Sequence, residues 1–323
     1  MERRKFFGTL SAGVLGISAS LRSRAAGRNF LGEMRQGMLP RRSLGRTGEK
    51  LSIIGLGGLV LADETPEAAN QIVREAVDHG INYFDVAPSY GNAQDRLGPA
   101  LKPYRNGVFL ACKTLKRDKP GAEAELHESL RKLETDHFDL YQLHALSKTE
   151  DVTQALGPNG ALEAFVQAKK EGKIRFLGFS AHSAEAALLA IKQFDFDTVL
   201  FPVNFVCFLK AGFGPQVIAA AKGKKIGILA LKALARQPWQ DEKQKKDWPK
   251  CWYQPILDPQ EAGLSLRFTL SQPVTAAVPP GDVRLFKRAL ELAHGFMPLQ
   301  PEEETKIRRL AANLNPLFTP HSG

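Results

Sequence analysis

Residues 80–91 (GINYFDVAPSYG), 108–114 (VFLACKT) and 138–144 (FDLYQLH) are the stretches that decide the fold. In each, a short run of aliphatic and aromatic residues leads to a charged or polar side chain, and segments with helical periodicity lie between the runs. Continuous apolar runs of this length are typical of strands buried on both faces of a parallel sheet. The alternation therefore predicts repeated strand and helix units, the pattern of an α/β fold.

The alternation continues on both sides of this region. Eight strands are predicted, at residues 51–56, 82–85, 108–113, 140–144, 176–180, 198–202, 227–231 and 275–278. Helices are predicted at residues 65–78, 122–133, 161–170, 184–193, 215–222, 259–271 and 283–293, and an extra C-terminal helix at 301–314. Eight parallel strands with crossover helices favour closure into one (β/α)8 TIM barrel, and the extra helix is expected to cover it.

The composition is that of a globular protein with a large core. Of 323 residues, 43% are hydrophobic and 24% are charged, which excludes disordered, collagen-like and coiled-coil chains. Lys and Arg number 44 against 34 Asp and Glu, so the net charge of +10 favours anionic small molecules but does not by itself imply nucleic acid. The 3 cysteines are odd in number and match no zinc-binding spacing, so neither a metal nor a disulfide framework is expected.

The N-terminal residues have the pattern of a targeting segment. Arg3 and Arg4 precede an uncharged run rich in Gly and Ser at residues 6–21, and small residues allow cleavage after Ala25. We interpret residues 1–25 as a twin-arginine (Tat) signal peptide, which predicts recognition by the Tat export machinery and a periplasmic protein. The uncharged run is too short and too weakly apolar for a stable membrane span.

The alternative is a translation start at Met38, because the sequence that follows looks like the beginning of a cytoplasmic enzyme. That start would predict a cytoplasmic location. With the signal included, residues 26–45 are a linker and the start of an N-terminal hairpin, and residues 46–323 form the barrel.

Four ionisable side chains lie at or just after the carboxyl ends of consecutive predicted strands. Asp85 ends the second strand, Tyr90 lies in the loop after it, Lys113 ends the third strand and His144 ends the fourth. Each alone has a plain structural explanation, such as a loop cap, a turn aromatic, a solvated charge or a satisfied core histidine. In a TIM barrel, however, the carboxyl ends of the strands meet at one rim, where active sites lie. We therefore expect the four side chains to converge.

Together the four residues predict a site that donates a proton. A phenol has a pKa near ~10, so Tyr90 alone is a poor acid at neutral pH. A nearby Lys113 ammonium is expected to lower the pKa of that phenol, and Asp85 is the counter-ion that a buried lysine needs. His144 is expected to hydrogen-bond a substrate oxygen and to stabilise developing negative charge.

The sequence resembles the aldo-keto reductase superfamily over residues 38–323. The resemblance rests on LGRTG and GLGG of the first hairpin and strand, and on DVAPSYG, CKT and LYQLH. It implies a metal-free barrel that moves a hydride between a nicotinamide dinucleotide and a small-molecule carbonyl. It also implies that Asp85, Tyr90, Lys113 and His144 form the family's catalytic tetrad, with Tyr90 as general acid.

The cofactor motifs of the family are matched less closely. In GFSAHS, Ser180 is kept but an alanine stands where many members have asparagine, and TVLFPVNF lacks the usual glutamine. His182 and Asn204 are candidate substitutes, although a surface histidine and a turn former are equally good interpretations. After the seventh strand, the segment Lys232, Ala233 and Leu234 takes the place of the family's pyrophosphate loop, where the lysine can contact phosphate directly.

The segment VPPGDVRLFKR corresponds to the family's nucleotide-phosphate motif in shortened form. Arg284 is the preferred candidate for binding a 2′-phosphate, ahead of Lys287 and Arg288, and the alternative for all of them is a solvated helix face. NADPH is therefore the favoured cofactor, with NADH as the alternative.

The sequence thus predicts an NAD(P)(H)-dependent oxidoreductase acting on an aldehyde, ketone or sugar. The alternative is a catalytically weak protein on the same fold that binds the nicotinamide cofactor and acts as a sensor or partner protein. The long connection at residues 235–257, rich in Lys and Trp, is expected to be functional, because long ordered loops in compact domains usually are.

Overall fold

The computed structural model describes residues 38–320. The predicted signal peptide at residues 1–25 and the linker as far as residue 37 lie outside the described residues. Within residues 38–320, no helix is long and apolar enough to cross a membrane.

Eight parallel strands form the predicted barrel. Their order around the sheet is β3, β4, β5, β6, β7, β8, β9 and β12. Their bounds are Leu56–Gly57 (β3), Tyr83–Asp85 (β4), Phe109–Thr114 (β5), Phe138–Leu146 (β6), Ile174–Ala181 (β7), Thr198–Pro202 (β8), Gly227–Leu231 (β9) and Ala276–Val278 (β12). A parallel bridge from Ile54 to Ala277 joins the last strand to the chain just before the first. The (β/α)8 TIM barrel predicted from the sequence is confirmed.

The first predicted strand, at residues 51–56, is wrong as a single element. Strand β2 (Lys50–Ser52) pairs antiparallel with β1 (Arg41–Ser43), and only Leu56–Gly57 joins the barrel. The apolar run is continuous because both parts are buried, so periodicity alone could not separate them. The β1–β2 hairpin places Leu44 and Leu51 in the cluster inside the barrel. It therefore closes the end of the barrel opposite the carboxyl ends of the strands.

Twelve α-helices occur in the described part of the chain, and most of them surround the barrel. Their bounds are Pro66–Asp78 (α1), Ala93–Leu101 (α2), Lys119–Lys132 (α3), Thr149–Leu156 (α4), Ala161–Lys170 (α5), Ala184–Gln193 (α6), Phe205–Leu209 (α7), Pro215–Gly223 (α8), Glu242–Lys245 (α9), Pro259–Ser271 (α10), Val283–His294 (α11) and Pro301–Ala312 (α12). The larger hydrophobic core lies between these helices and the outer face of the strands.

Helices α2, α4, α7 and α9 were not predicted. Helix α2 contains Gly98 and Pro99, which weaken the helical pattern. Gly98 is needed there because a Cβ at this position would lie 2.5 Å from the carbonyl oxygen of Lys132. The glycine is therefore explained by close packing against α3. Such packing cannot be predicted from the periodicity of the sequence.

The connection at residues 235–257, called the strap below, is more ordered than a loop. Strand β10 (Ala235–Gln237) pairs antiparallel with β11 (Gln254–Pro255), and α9 lies between them. The indole of Trp239 donates a hydrogen bond of 2.9 Å to the carbonyl of Cys251, which ties the two sides together. The strap follows β9, so it starts at the rim where the active site is expected.

Candidate active site

The predicted tetrad converges at the carboxyl ends of β4, β5 and β6. Asp85 is the last residue of β4 and Lys113 the penultimate residue of β5, and both side chains are buried. His144 lies near the end of β6, and its ring is 5.8 Å from that of Tyr90, edge to face at 85°. The ammonium of Lys113 is 5.4 Å from the centre of the Tyr90 ring.

The carboxylate of Asp85 and the ammonium of Lys113 form a buried ion pair. Asp85 Oδ2 also accepts hydrogen bonds from the hydroxyl of Tyr83 at 3.1 Å and from Gln142 Nε2 at 3.2 Å. Burial by itself lowers the pKa of Lys113, but the charges of Asp85 and Tyr90 and the hydrogen bond to Asp85 together outweigh it, and the pKa is raised. Lys113 is therefore held as a cation beneath Tyr90.

Tyr83 and Gln142 are site residues that the sequence reasoning missed. Each lies two positions before a tetrad residue on its strand, Tyr83 before Asp85 and Gln142 before His144. Because side chains alternate along a strand, both point to the same side as those residues. A polar residue at this spacing in an otherwise apolar strand was the available signal.

The pKa of Tyr90 differs from the sequence expectation. It is raised, because burial of the phenol outweighs the charge of Lys113 and its hydrogen bond, which act in the opposite direction. Tyr90 is therefore fully protonated at neutral pH and holds a proton to donate. The ammonium of Lys113 reduces the cost of forming the phenolate without making the phenol acidic in the resting protein.

His144 is neutral throughout the ordinary pH range. Burial, followed by the charge of Lys113, lowers the pKa of His144 to about 2. The hydroxyl oxygen of Ser89 lies 3.5 Å from its Nδ1. A neutral imidazole has one N–H donor, so His144 can donate a hydrogen bond to a substrate oxygen while it stays uncharged.

The ammonium of Lys232 lacks an anionic partner among residues 38–320. It lies 5.1 Å from the ring centre of Trp252 and 5.0 Å from that of Tyr253. Its backbone has a φ of +67°, which a residue other than glycine rarely adopts. Burial lowers the pKa of Lys232 to about 8. An unpaired cation between aromatic faces is a suitable position for an anionic group.

The other residues predicted to bind cofactor have different surroundings. Ser180 is buried and its hydroxyl oxygen accepts a 2.7 Å hydrogen bond from the backbone of Ala145. The ring of His182 stacks on Phe318 with centres 5.4 Å apart, and burial lowers the pKa of His182 to about 4. Ala233 and Leu234 are buried behind Lys232.

Asn204 has all its hydrogen-bonding groups engaged within the protein. Its Oδ1 accepts from the backbone of Val206 at 3.0 Å and of Cys207 at 3.1 Å, which caps α7. Its Nδ2 donates to the carbonyls of Lys232 at 3.1 Å and Ala235 at 2.7 Å. Both amide hydrogens are thus used, which favours the structural alternative for Asn204.

Arg284 also has its guanidinium bound within the protein, by Asp282 and by residues of the strap. Its guanidinium pairs with Asp282 at 2.8 Å, donates to the carbonyl of Asp247 at 2.7 Å, and lies 3.8 Å from the ring centre of Trp248. The hydrogen bonds that Arg284 donates to the carboxylate of Asp282 raise the pKa of Arg284. A 2′-phosphate at Arg284 would therefore compete with Asp282.

The strap covers the tetrad and encloses a cavity of about 80 Å³, lined by Asp85, Tyr90, Lys232 and Trp252 among others. The ammonium of Lys250, in the strap, donates to the carbonyl of Val60 at 3.1 Å and pairs with Glu64 at 2.9 Å. Small-molecule sites commonly enclose ~300–1,000 Å³. The cavity under the strap is therefore smaller than a site that encloses a whole dinucleotide. Nothing in the sequence marked Lys250 or Glu64 for this contact.

Comparison with known proteins identifies the family. The profile of the Aldo/keto reductase family matches residues 53–254, which is most of the chain. The chain belongs to the aldo-keto reductase family. The match includes all four tetrad residues of this aldo-keto reductase, and it ends inside the strap.

Individual relatives are similar over part of their length. The chain is 33% identical over 155 residues to the uncharacterized oxidoreductase YqkF of Bacillus subtilis, covering 44% of this chain and 48% of that protein. It is 31% identical over 213 residues to L-galactose dehydrogenase of Arabidopsis thaliana, covering 60% and 65%. The chain thus spans about half to two thirds of the length of the curated relatives that it matches.

A solved structure of an aldo-keto reductase from Bacillus halodurans, in its holo form, has the same fold. The TM-score is 0.67 at 22% sequence identity, and the alignment covers 88% of this chain and 100% of that one. At this level of identity the similarity establishes the barrel fold.

Proposed function

We propose that this aldo-keto reductase is an NAD(P)(H)-dependent oxidoreductase that reduces the carbonyl of an aldehyde, ketone or sugar, with Tyr90 as general acid. The observation that carries the proposal is the buried Lys113–Asp85 ion pair beneath a protonated phenol, with a neutral His144 at its edge. Relatives named as oxidoreductases and as a dehydrogenase support the reaction class.

The residues at the rim fit an anionic dinucleotide. Lys232 supplies the unpaired cation for a phosphate, and the Ser180 hydroxyl, which accepts one hydrogen bond, retains a hydrogen to donate. When bound, a nicotinamide dinucleotide would supply the hydride for the carbonyl carbon. NADPH is the favoured form from the family resemblance, and NADH is the alternative because Asp282 already occupies Arg284.

Each tetrad residue has one task in this scheme. The hydroxyl of Tyr90 donates its proton to the carbonyl oxygen, and the ammonium of Lys113 stabilises the phenolate that remains. Asp85 keeps Lys113 charged in a buried position. The neutral ring of His144 donates a hydrogen bond to the same carbonyl oxygen, so its position relative to Tyr90 sets the substrate geometry.

Replacement of the acid tests the proposal. We expect Tyr90→Phe to lower kcat for reduction of 4-nitrobenzaldehyde by ~100–10,000-fold, because loss of a general acid has that effect. Tyr104→Phe is the control, since Tyr104 packs on the core away from the rim. Unchanged turnover in Tyr90→Phe would show that the acid assignment is wrong. Tight NADPH binding by the wild-type protein without consumption across a panel of carbonyls would favour the sensor alternative.

We also propose that residues 1–25 direct export through the Tat machinery to the periplasm. Export in the folded state would suit a protein that takes up its dinucleotide before leaving the cytoplasm, and the strap then offers a means of retaining it. A reporter fused to residues 1–37 should be exported with Arg3 and Arg4 intact and retained when both are changed to Lys. Retention of the intact fusion would argue for the start at Met38, and export of the changed fusion would show that export does not depend on the twin arginines.

A further inference from the structure

Strand β6 carries a bulge at the catalytic histidine. Leu143 is paired with Phe179 of β7, whereas Leu146 is paired with Ala181, so two residues of β6 face the single residue between those partners. The two residues are His144 and Ala145, and Ala145 has a φ of +53°. A bulge changes the direction of a side chain, and an alanine in the left-handed region is strained unless its surroundings hold it there. The orientation of His144 therefore depends on whatever holds this bulge.

Two side chains hold the bulge from opposite sides. From β7, the hydroxyl oxygen of Ser180 accepts a hydrogen bond of 2.7 Å from the backbone N–H of Ala145. From the loop after β5, Arg117 Nη2 donates to the carbonyl of His144 at 2.7 Å and to that of Ala145 at 3.3 Å. One guanidinium nitrogen thus spans the two carbonyls on either side of the strained peptide.

The guanidinium of Arg117 is buried with few hydrogen-bond partners, although the residue lies in a loop. Its side chain is only 10% exposed, and the carboxylate that it contacts in the described part of the chain, that of Asp151, is 3.6 Å away. Its Nε and Nη1 are buried without a hydrogen-bond partner among the described residues. Burying a guanidinium with so few partners is costly, so the fold gains little stability from this arrangement. The contacts that Arg117 does make well are those to the bulge.

The chain position of Arg117 links it to the rest of the site. It lies four residues after Lys113, in the loop that leaves β5 at the rim. The same short segment therefore carries the lysine beneath Tyr90 and the arginine behind His144.

We propose that Arg117 is a positioning residue for His144, acting through the two carbonyls of the bulge. The proposal rests on the function proposed above, in which His144 orients the substrate carbonyl next to Tyr90. Without Arg117 the strained peptide can relax, and the ring of His144 moves from its edge-to-face position. Misplacement of a catalytic group by ~1 Å reduces turnover by about 100-fold.

The chain contains a matched control for a purely structural role. Arg105 is 14% exposed, pairs with Asp139 at 3.0 Å, and donates to the carbonyls of Val108 at 3.3 Å and His137 at 2.9 Å. Val108 and His137 precede β5 and β6, and Asp139 is the second residue of β6, so Arg105 holds backbone carbonyls at the opposite end of the barrel. Arg105→Met removes a comparable set of contacts without touching the rim.

The experiment compares Arg117→Met, Arg117→Lys and Arg105→Met in the full-length protein. We expect Arg117→Met to reduce kcat for 4-nitrobenzaldehyde with NADPH by about 10–100-fold while the affinity for NADPH, measured by fluorescence quenching, changes less than twofold. Arg105→Met should lower the Tm but keep kcat within twofold. Equal losses of kcat in the two Met variants would overturn the proposal, because they would reflect general destabilisation.

A measurement without turnover separates this inference from the proposed function. The imidazole resonances of His144, assigned by comparison with His144→Gln, should shift in Arg117→Met and remain in place in Arg105→Met. They should also shift in Arg117→Lys, which keeps the positive charge but lacks the planar guanidinium. A shift in this variant therefore reports a change in the position of the ring and not a change in charge. Unchanged resonances in Arg117→Met overturn the inference whether or not the protein reduces carbonyls. If the His144 resonances shift in Arg117→Met and the wild-type protein shows no turnover, the positioning role of Arg117 is supported. Only the proposed reductase function is then contradicted.

Discussion

The affinity for a nicotinamide dinucleotide should fall between pH 7 and pH 9, because Lys232 loses its proton in this range. Burial lowers the pKa of Lys232 to about 8, so roughly nine-tenths of the side chain is charged at pH 7 and roughly one-tenth at pH 9. If only the charged form pairs with phosphate, the dissociation constant rises by about tenfold, or ~1.4 kcal/mol, over those two units. The sign follows from the direction of the shift: binding an anion raises the pKa of the lysine, so binding is favoured at the lower pH.

The neighbours of Lys232 do not titrate in this range. Burial lowers the pKa of His182 to about 4 and raises that of Cys251 to about 12, and it raises the pKa of Tyr253 as well. His182 is therefore neutral and the thiol and phenol are protonated from pH 7 to pH 9. Lys232 is the group near this position whose charge changes.

Quenching of tryptophan fluorescence is a suitable assay, since Trp252 lies 5.1 Å from the ammonium. NADPH and NADH are titrated at pH 7, 8 and 9 into the wild-type protein, Lys232→Met and Lys232→Arg. Lys232→Met should bind weakly with no dependence on pH, and Lys232→Arg should bind equally at all three values because a guanidinium stays charged. Equal wild-type affinities at pH 7 and pH 9, or the same slope in Lys232→Met, would refute the role of Lys232.

Three further predictions concern the ion pair, the hairpin and the strap. Asp85→Asn leaves the buried lysine ammonium unpaired and should lower the free energy of unfolding in urea by ~3–5 kcal/mol; a loss below ~1 kcal/mol would contradict a buried pair. Gly45→Ala should destabilise more than Gly48→Ala in the same assay, because both have positive φ but only the Cβ at Gly45 meets backbone, at 2.3 Å. Lys250→Met and Glu64→Gln should each speed the release of bound nucleotide on gel filtration, since they remove the 2.9 Å contact that holds the strap down; complete release from the wild-type protein under the same conditions would count against retention by the strap.

Parts of the fold with strong local patterns were predictable to the residue. Strands at 198–202 and 227–231 and helices at 161–170 and 184–193 match the structure, because each is a continuous apolar run or a clear helical stripe bounded by turn residues. The run at 51–56 was misassigned because a hairpin strand and a barrel strand are both buried and look alike. Helix α2 was missed because Gly98 and Pro99 weaken its pattern, although close packing against α3 requires the glycine.

In the candidate site, too, some features could be predicted from the sequence and others could not. The positions of Asp85, Lys113 and His144 at strand ends were readable from the sequence, since a parallel barrel brings those ends to one rim. The direction of the Tyr90 pKa was not, because it depends on how much water the fold removes from the phenol relative to the charge of Lys113. Desolvation is a property of the packed structure, and no residue pattern expresses its size.

The sequence by itself determined that this chain folds as a closed α/β barrel and which ionisable side chains share its rim, because strand and helix periodicity are local and barrel closure follows from their repetition. Only the tertiary structure decided which of those groups are charged, which are already engaged and what holds them. Asn204 and Arg284 are occupied by partners within the protein, and Lys232 has no counter-ion within residues 38–320. Arg117 extends from the loop after β5 to the strained peptide beside His144. These relations join residues far apart in the chain, and they depend on distances and solvent exclusion that arise only when the elements pack together.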